Sequence, residues 1–434
     1  MKQQNGAPPQ SAMNNHLIIL LGKTQTELKN THDEYQMAKY SIAGDQSKQF
    51  ETPFVGEAIL RLVRKKFTHL HIFGTAESIW QTLISHFSKN QPQSGETDEY
   101  FYSIVEKKEN KNLTDDDLFP LAETVKKQFD LKFAECKIIQ KGINDNEVWG
   151  IFDSITAVNI KRGDVVSIDI THGLRFQPVM LMLFLFFMKI NKPDVAVDSI
   201  FYGALELKNE PGNNGIAPIY DLKVFAELID WITAAEVFSK YGDSKKIAEL
   251  LGKNNVPDSL LRRFTKYNSV INLNALRDIK TDAKGFLETV NSTPFQAIPP
   301  FRMITPALKE LPDKIFREDM PKPTAIFLIA KRNLENGQLA LSLLNLWEAV
   351  IGYFGEVYDL DSNDKNQYEL IVKKIKKDYC KKDPIFNDNF NKLRNFRNGT
   401  AHSELLEFIS AANVLKKIPD LFSFFEQKLF TELK

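Results

Sequence analysis

The chain has 434 residues and equal numbers of basic and acidic side chains, 56 of each. That length is too great for one ordinary domain and suits two or three, and the zero net charge means that any nucleic-acid binding must come from a local patch. Two distant cysteines, Cys136 and Cys380, exclude a disulfide framework and a zinc spacing and favour a reducing compartment.

In chain order, residues 1–14 read as a loose polar tail without the apolar core of an export signal, so the expected location is the cytoplasm. The apolar run His16–Leu21 stops at Gly22-Lys23-Thr24, which predicts a buried strand ending in a loop. Val55, Ile59, Leu62 and Val63 set a helical period within 52–65. A second strand, His69–Phe73, ends at Gly74-Thr75, and helix signals resume over 77–86. Residues 88–118 are polar and read as an insertion loop with at most one short element. Helix and strand signals alternate over 123–153, and Asp164–Ile170 is a third clear strand. The apolar run Val179–Met188 is about half of the roughly 20 residues that span a bilayer and is followed by Lys189, so the expectation is a buried helix over 178–190 and no membrane partner. Ser199–Gly203, a Pro-Gly-Asn-Asn-Gly turn at 211–215 and a return strand near Ile219 complete the pattern. Strands alternating with helices imply crossovers and a mostly parallel sheet, hence a Rossmann-like domain over 15–222.

After Asp221 the strand pattern ends. Helical stretches fill 224–290, with Leu228, Trp231, Ile232 and Ala235 on one stripe. Pro294, Pro299, Pro300, Pro306, Pro312, Pro321 and Pro323 then suggest a hinge, so 223–323 reads as a helical connector. From 324 to 434 the chain is helical again, with Leu339, Leu343, Leu346 and Val350 fitting one bundle seam and Phe386, Phe390 and Leu393 another. The expected class is α/β followed by all-α.

Two motifs carry chemistry. In Arg397-Asn398-Gly399-Thr400-Ala401-His402, Arg397 shares a helical stripe with Phe390 and Leu393, Gly399 is expected to break that helix, and His402 to fall near the start of the next. Arginine is a permanent cation suited to phosphate, and histidine exchanges protons near neutral pH. Together they suffice to cut RNA, which brings its own 2′-hydroxyl nucleophile. Asn398 either orients a phosphate or the histidine, or caps the helix. Glu348 could brace the arginine or serve packing alone. The lysines between Lys373 and Lys382 form either an RNA guide or a solvated face. The second motif is Asp169-Ile170-Thr171-His172-Gly173-Leu174-Arg175. With Gly22-Lys23-Thr24 and Gly74-Thr75 it offers loops beyond the carboxyl ends of parallel strands, where glycine amides, hydroxyls and cations can hold phosphate. Ordinary strand-to-helix turns use the same small residues, and Asp169 can equally cap loop amides.

Asp169-Ile170-Thr171-His172-Gly173 resembles the DxTHG motif of CRISPR-associated proteins, and Leu20-Leu21-Gly22, Phe73–Trp80 and Phe201–Ala204 follow the same order. About half of the chain thus resembles a CARF domain, and the C-terminal hexapeptide is similar to the R-x4-H motif of HEPN ribonucleases. The resemblance implies a CARF–HEPN ancillary protein of type III CRISPR systems. It would be a homodimer that binds cyclic oligoadenylate, with the tetra-adenylate favoured and the hexa-adenylate an alternative. Gly22, Lys23, Thr24, Gly74, Thr75, Thr171, Gly173 and Arg175 would hold that activator, with His172 in a supporting role. Arg397, Asn398 and His402 would be catalytic toward single-stranded RNA, with no metal or other cofactor. The competing expectation is a ligand-responsive regulator that binds nucleic acid without cutting it. A third is that Lys23, Thr171 and Arg175 also cleave the bound ring.

Overall fold

The computed structural model describes residues 13–22, 37–88, 95–402 and 411–431, without the side chains of 95–97, 401–402 and 411–414. These form two compact units that divide after Ile229.

The first unit is built on eight strands: β1 (Asn15–Leu21), β2 (Ala38–Ile42), β3 (Asp45–Thr52), β4 (His69–Thr75), β5 (Phe133–Ile139), β6 (Val165–Asp169), β7 (Ala196–Gly203) and β8 (Ile216–Asp221). They lie in the order β3-β2-β8-β7-β6-β1-β4-β5. The block β7-β6-β1-β4-β5 is parallel throughout, with Leu20 beside Phe73 and Ile19 beside Asp169. β8 runs antiparallel to β7, and β3 antiparallel to β2.

Six helices cover the sheet: α1 (Val55–Leu62), α2 (Trp80–Ser88), α3 (Gly95–Glu109), α4 (Phe119–Gln128), α5 (Asp145–Thr156) and α6 (Gln177–Asn191). β1 is apolar from Leu17 to Leu21 because both of its faces are covered there. Leu17 and Leu21 pack with Val55, Ile59, Trp80 and Leu121 on one face. Ile18 and Leu20 pack with Ile151, Leu181 and Leu185 on the other. Helices on both faces of a mostly parallel sheet are the architecture expected for this half.

Two local expectations change, and one hairpin stands where no element was expected. The stretch read as an insertion loop holds the fifteen-residue α3. The hairpin β2–β3 carries no apolar run, since β3 is an exposed polar edge strand. The helix over 178–190 is not buried all round. Met180, Leu181, Phe184, Leu185 and Met188 face the core, while Val179 and Leu183 are each 58% exposed and Ile190 65%.

The second unit is wholly helical: α7 (Val224–Tyr241, begun in the first unit), α8 (Lys245–Lys253), α9 (Asp258–Asn272), α10 (Ile279–Val290), α11 (Thr293–Gln296), α12 (Pro299–Phe316), α13 (Lys322–Glu335), α14 (Leu339–Tyr358), α15 (Lys365–Ile375), α16 (Pro384–His402) and α17 (Ala411–Leu429). One core runs through it from Trp231 to Phe430, so the stretch read as a connector and the stretch read as a terminal domain share their interior. Of the prolines expected to form a hinge, all but Pro321, which caps α13, are helical. Pro299 and Pro300 open α12, Pro306 and Pro312 lie within it, and Pro323 sits in the first turn of α13. Proline is favourable in a first turn, where its missing N–H costs nothing. No helix among the described residues is long and apolar enough to cross a membrane.

Candidate functional sites

From β1 the parallel block grows one way to β4 and β5, and the chain then returns to β6 and β7 on the other side. The carboxyl ends of β1 and β6 therefore flank a topological switch point, the place where open α/β sheets leave a crevice for ligand. Gly22 follows β1, Gly74 and Thr75 end β4, and Thr171–Arg175 follow β6. The structure gathers these residues at neighbouring strand ends; Lys23 and Thr24 lie outside the described residues.

The loop after β6 is held from within. The Thr171 N–H donates to Asp169 Oδ1 (2.9 Å) and its hydroxyl to the same oxygen (2.5 Å). That hydroxyl also accepts from the Gly203 N–H at 2.8 Å, tying the end of β6 to β7. Asp169 thus does cap loop amides, and Thr171 Oγ1 keeps one lone pair for anything else. Gly173 has φ +101°, and a Cβ there would stand 2.7 Å from Gln177 Oε1 and 3.2 Å from Leu20. Gln177 Oε1 in turn accepts from the Leu174 N–H at 2.9 Å, just before α6 begins. Burial pushes the Asp169 carboxyl up and the His172 imidazole down, each offset in part by the charge of the other. His172 Nε2 has no partner among the described residues.

The β4 loop is equally built in. Thr75 is buried with its hydroxyl 3.3 Å from Ser78 Oγ. Ser78 Oγ donates to the Leu21 carbonyl at 2.8 Å, and the Ile79 N–H donates to the Gly22 carbonyl at 3.2 Å, which joins the β1 and β4 ends. A Cβ on Gly74 would fall 2.7 Å from Trp80. Of the predicted ligand residues, Arg175 stands exposed, and Thr171, His172 and Gly173 are half-buried. Ser78, Trp80 and Gln177 are positioning residues that the sequence did not single out; Ser78 and Trp80 lie inside the Phe73–Trp80 segment, and Gln177 lies outside every motif.

In the helical unit, Asp383 starts α16 by accepting from the N–H groups of Ile385 and Phe386, both at 3.0 Å. Phe390, Leu393 and Phe396 are buried and fix the rotation of the helix. Arg397 is half-buried. Its Nη1 donates to Asn398 Oδ1 at 3.1 Å, and its Nε has no partner among the described residues. Asn398 thus braces the guanidinium. Glu348 on α14 lies within its field: burial raises the Glu348 carboxyl, and Arg397 and a hydrogen bond to Tyr368 pull it back. Tyr368 on α15 is held by Trp347 Nε1 at 2.5 Å. Gly399 does not break the helix as expected; α16 continues to His402, whose side chain lies outside the described residues. A single helical glycine costs only about 1 kcal/mol relative to alanine, too little to end a helix anchored by three phenyl and leucyl groups. The five-residue spacing therefore sets Arg397 and His402 about 140° apart around one continuous helix and about 7.5 Å apart along it. The lysines between Lys373 and Lys382 lie in and around a π-helical turn, Lys376–Cys380, and most are exposed.

Residues 227–319 match the family described as CRISPR-associated protein MJ1674, second domain. CRISPR-associated protein MJ1674 of Methanocaldococcus jannaschii is 28% identical over 407 residues, covering 90% of this chain and 62% of that protein. The chain is a relative of CRISPR-associated proteins. It spans under two thirds of that relative's length. The two motifs lie on the expected architecture, one on a mixed α/β unit and the other on an all-helical one. The solved structure of Enterococcus italicus Csm6 bound to cyclic hexa-2′-fluoro-hexa-dAMP matches with a TM-score of 0.32 and 14% identity, over 96% of this chain and 94% of that one. A superposition that loose carries no argument about fold or activity.

Proposed function

We propose that this chain is a metal-independent endoribonuclease of CRISPR defence, switched on by cyclic oligoadenylate and active as a homodimer. The observation that carries the reading is the Arg397 guanidinium, anchored on α16, braced by Asn398 and set beside the Glu348 carboxyl with its Nε unclaimed. A guanidinium so held stabilises charge on a scissile phosphate. His402 serves as general base toward the 2′-hydroxyl or as general acid toward the leaving 5′-oxygen. The 2′-oxygen bonds to phosphorus, the P–O5′ bond breaks, and the products are a 2′,3′-cyclic phosphate and a 5′-hydroxyl. One imidazole does not conveniently do both jobs in a single in-line step, and Arg397 and His402 diverge around their helix. Two copies related by a twofold axis supply two of each.

At the other end, the loop Thr171–Arg175 with Gly22, Gly74 and Thr75 takes the activator. Gly173 and the exposed Arg175 are the groups open to its phosphates, while Asp169, Thr171 and Ser78 hold the loops in shape. The test is cleavage of fluorescent RNA in EDTA with each cyclic oligoadenylate in turn. Replacing His402 with alanine should slow ligand-stimulated cleavage by about 10²–10⁴-fold. Cleavage by that variant at the parent rate would show the assigned site to be wrong. RNA binding without cleavage under every ligand would favour the regulator.

A further inference from the structure

Residues 373–382 of the helical unit hold six lysines and one carboxylate, Asp378, in a chain whose charges otherwise cancel. Ile371 and Ile375 are fully buried and turn the rest of the segment outward, so Lys373, Lys376, Lys377, Lys381 and Lys382 are exposed. A run of lysines on a helix is ordinarily a solvated face. Three observations set this one apart. None of its lysines has an ion pair among the described residues. The nearby carboxylates are committed elsewhere: Asp378 accepts from the Tyr358 hydroxyl at 3.3 Å, and Asp383 is taken by Lys428 and by the first N–H groups of α16. The helix also widens at Lys376–Cys380 into a π turn, a winding frequent at functional sites. Tyr379 in that turn is held by Phe354 at 4.7 Å and by Phe386 at 5.8 Å, yet stays 37% exposed.

The turn is aligned with the candidate active site. Phe386 lies in the first turn of α16, and Arg397 follows on the same helix. At 3.6 residues per turn and 1.5 Å per residue, the two stand about 20° apart around the helix and about 16 Å apart along it. Arg394, exposed and likewise without an ion pair among the described residues, continues the positive surface less than one turn before Arg397.

We propose that this turn is the entry track for RNA, where the lysines hold phosphates of a single strand and Tyr379 stacks one unpaired base. A lysine is a point charge on a flexible stem, so it grips phosphate without reading sequence. The exposed part of the tyrosine ring can take only a base that has left its own stack, which a duplex does not offer. With no net charge on the chain, a local patch must supply the attraction. The track's direction toward Arg397 rests on the ribonuclease reading above; its binding of RNA does not.

The test is fluorescence anisotropy of the full chain with a labelled single strand of 2′-O-methyl RNA, which lacks the attacking hydroxyl and is not consumed. Lys376→Gln combined with Lys377→Gln should weaken binding about tenfold or more. It should also flatten the slope of log affinity against log salt by about 1.4, two contacts at about 0.7 each for a single strand. Lys376→Arg with Lys377→Arg should bind like the parent. Tyr379→Leu should weaken binding about fivefold or more and leave the slope unchanged; if it does not fold, the exposed lysines decide alone. The proposal is overturned if the double glutamine variant keeps the parent's affinity and slope, or if a duplex of the same sequence binds as tightly as the single strand. RNA binding that depends on these lysines, in a protein whose His402→Ala form still cuts at the parent rate, would keep the track and remove only the assigned active site.

Discussion

His16 lies at the amino end of β1, remote along the strand from the ligand loops, and its ring is fully committed. Nε2 faces Asp164 Oδ2 at 3.1 Å and Nδ1 faces His71 Nε2 at 3.0 Å, while His71 Nδ1 meets Glu135 at 2.6 Å. If Nε2 carries the proton toward Asp164, Nδ1 must accept from His71, so a second proton on His16 would oppose an N–H. Burial foremost, with the nearby His71 and His69 and against the pull of Asp164, lowers the His16 pKa from 6.5 to about 4. A base whose folded pKa is depressed binds its proton first in the unfolded chain. Its contribution is therefore whole above pH 6.5 and is lost as pH falls from there to about 4. The loss is on the order of 2–3 kcal/mol. Urea midpoints between pH 7.5 and 5 should fall for the parent, and His16→Gln should remove about one proton's worth of that slope. Equal slopes would show that His16 is not the buried base.

The elements legible in the sequence are those whose burial repeats along the chain. β1, β4 and β6 are strands rich in apolar residues because helices cover both sheet faces, and their loops were marked by Gly22, Gly74 and Gly173. β3 and α3 were hidden because both are polar: one is an exposed sheet edge, the other a solvated helix. The proline passage misled because a proline at a helix start reads like one in a hinge. Gly399 misled because propensity is weak against packing on Phe390, Leu393 and Phe396. Within the site, Tyr368 and Gln177 were illegible, as each matters through a partner distant in sequence or hidden in a loop. Gly173 was legible for a physical reason that makes a prediction. At φ +101° a side chain is strained, and its Cβ would strike Gln177 Oε1, the group that fixes the Leu174 N–H. Gly173→Ala should cost on the order of 1–3 kcal/mol of stability and, on the reading above, weaken cyclic oligoadenylate binding. A variant that melts and binds like the parent would show the loop to be freely adaptable.

At the scale of the molecule, the proposed chemistry needs a second copy, and the first unit carries a surface fit to receive one. α6 starts directly after the Thr171–Phe176 loop, and its outer face presents Val179, Leu183, Phe187 and Ile190 at helical spacing. Trp149 on α5, 65% exposed, extends the patch, and Phe152 packs edge-on against Phe187 at 5.5 Å. Contiguous apolar surface of this kind marks an interface. On the proposed reading, a ring ligand with twofold symmetry gripped by this loop in two copies would bring the two α6 helices toward the same axis, so ligand and apolar face would serve one assembly. Ligand binding and dimer formation are then linked, and each must strengthen the other by the same factor. Leu183→Glu tests this without disturbing the core, since that side chain is 58% exposed. Analytical ultracentrifugation should show a dimer for the parent and a shift toward monomer for the variant, with unchanged far-UV circular dichroism. Cyclic oligoadenylate affinity and ligand-stimulated RNA cleavage should fall together, and excess ligand should restore part of the dimer. A variant that stays dimeric and cuts at the parent rate would place the interface elsewhere, and a parent monomeric with ligand bound would remove the second active-site pair on which the chemistry depends.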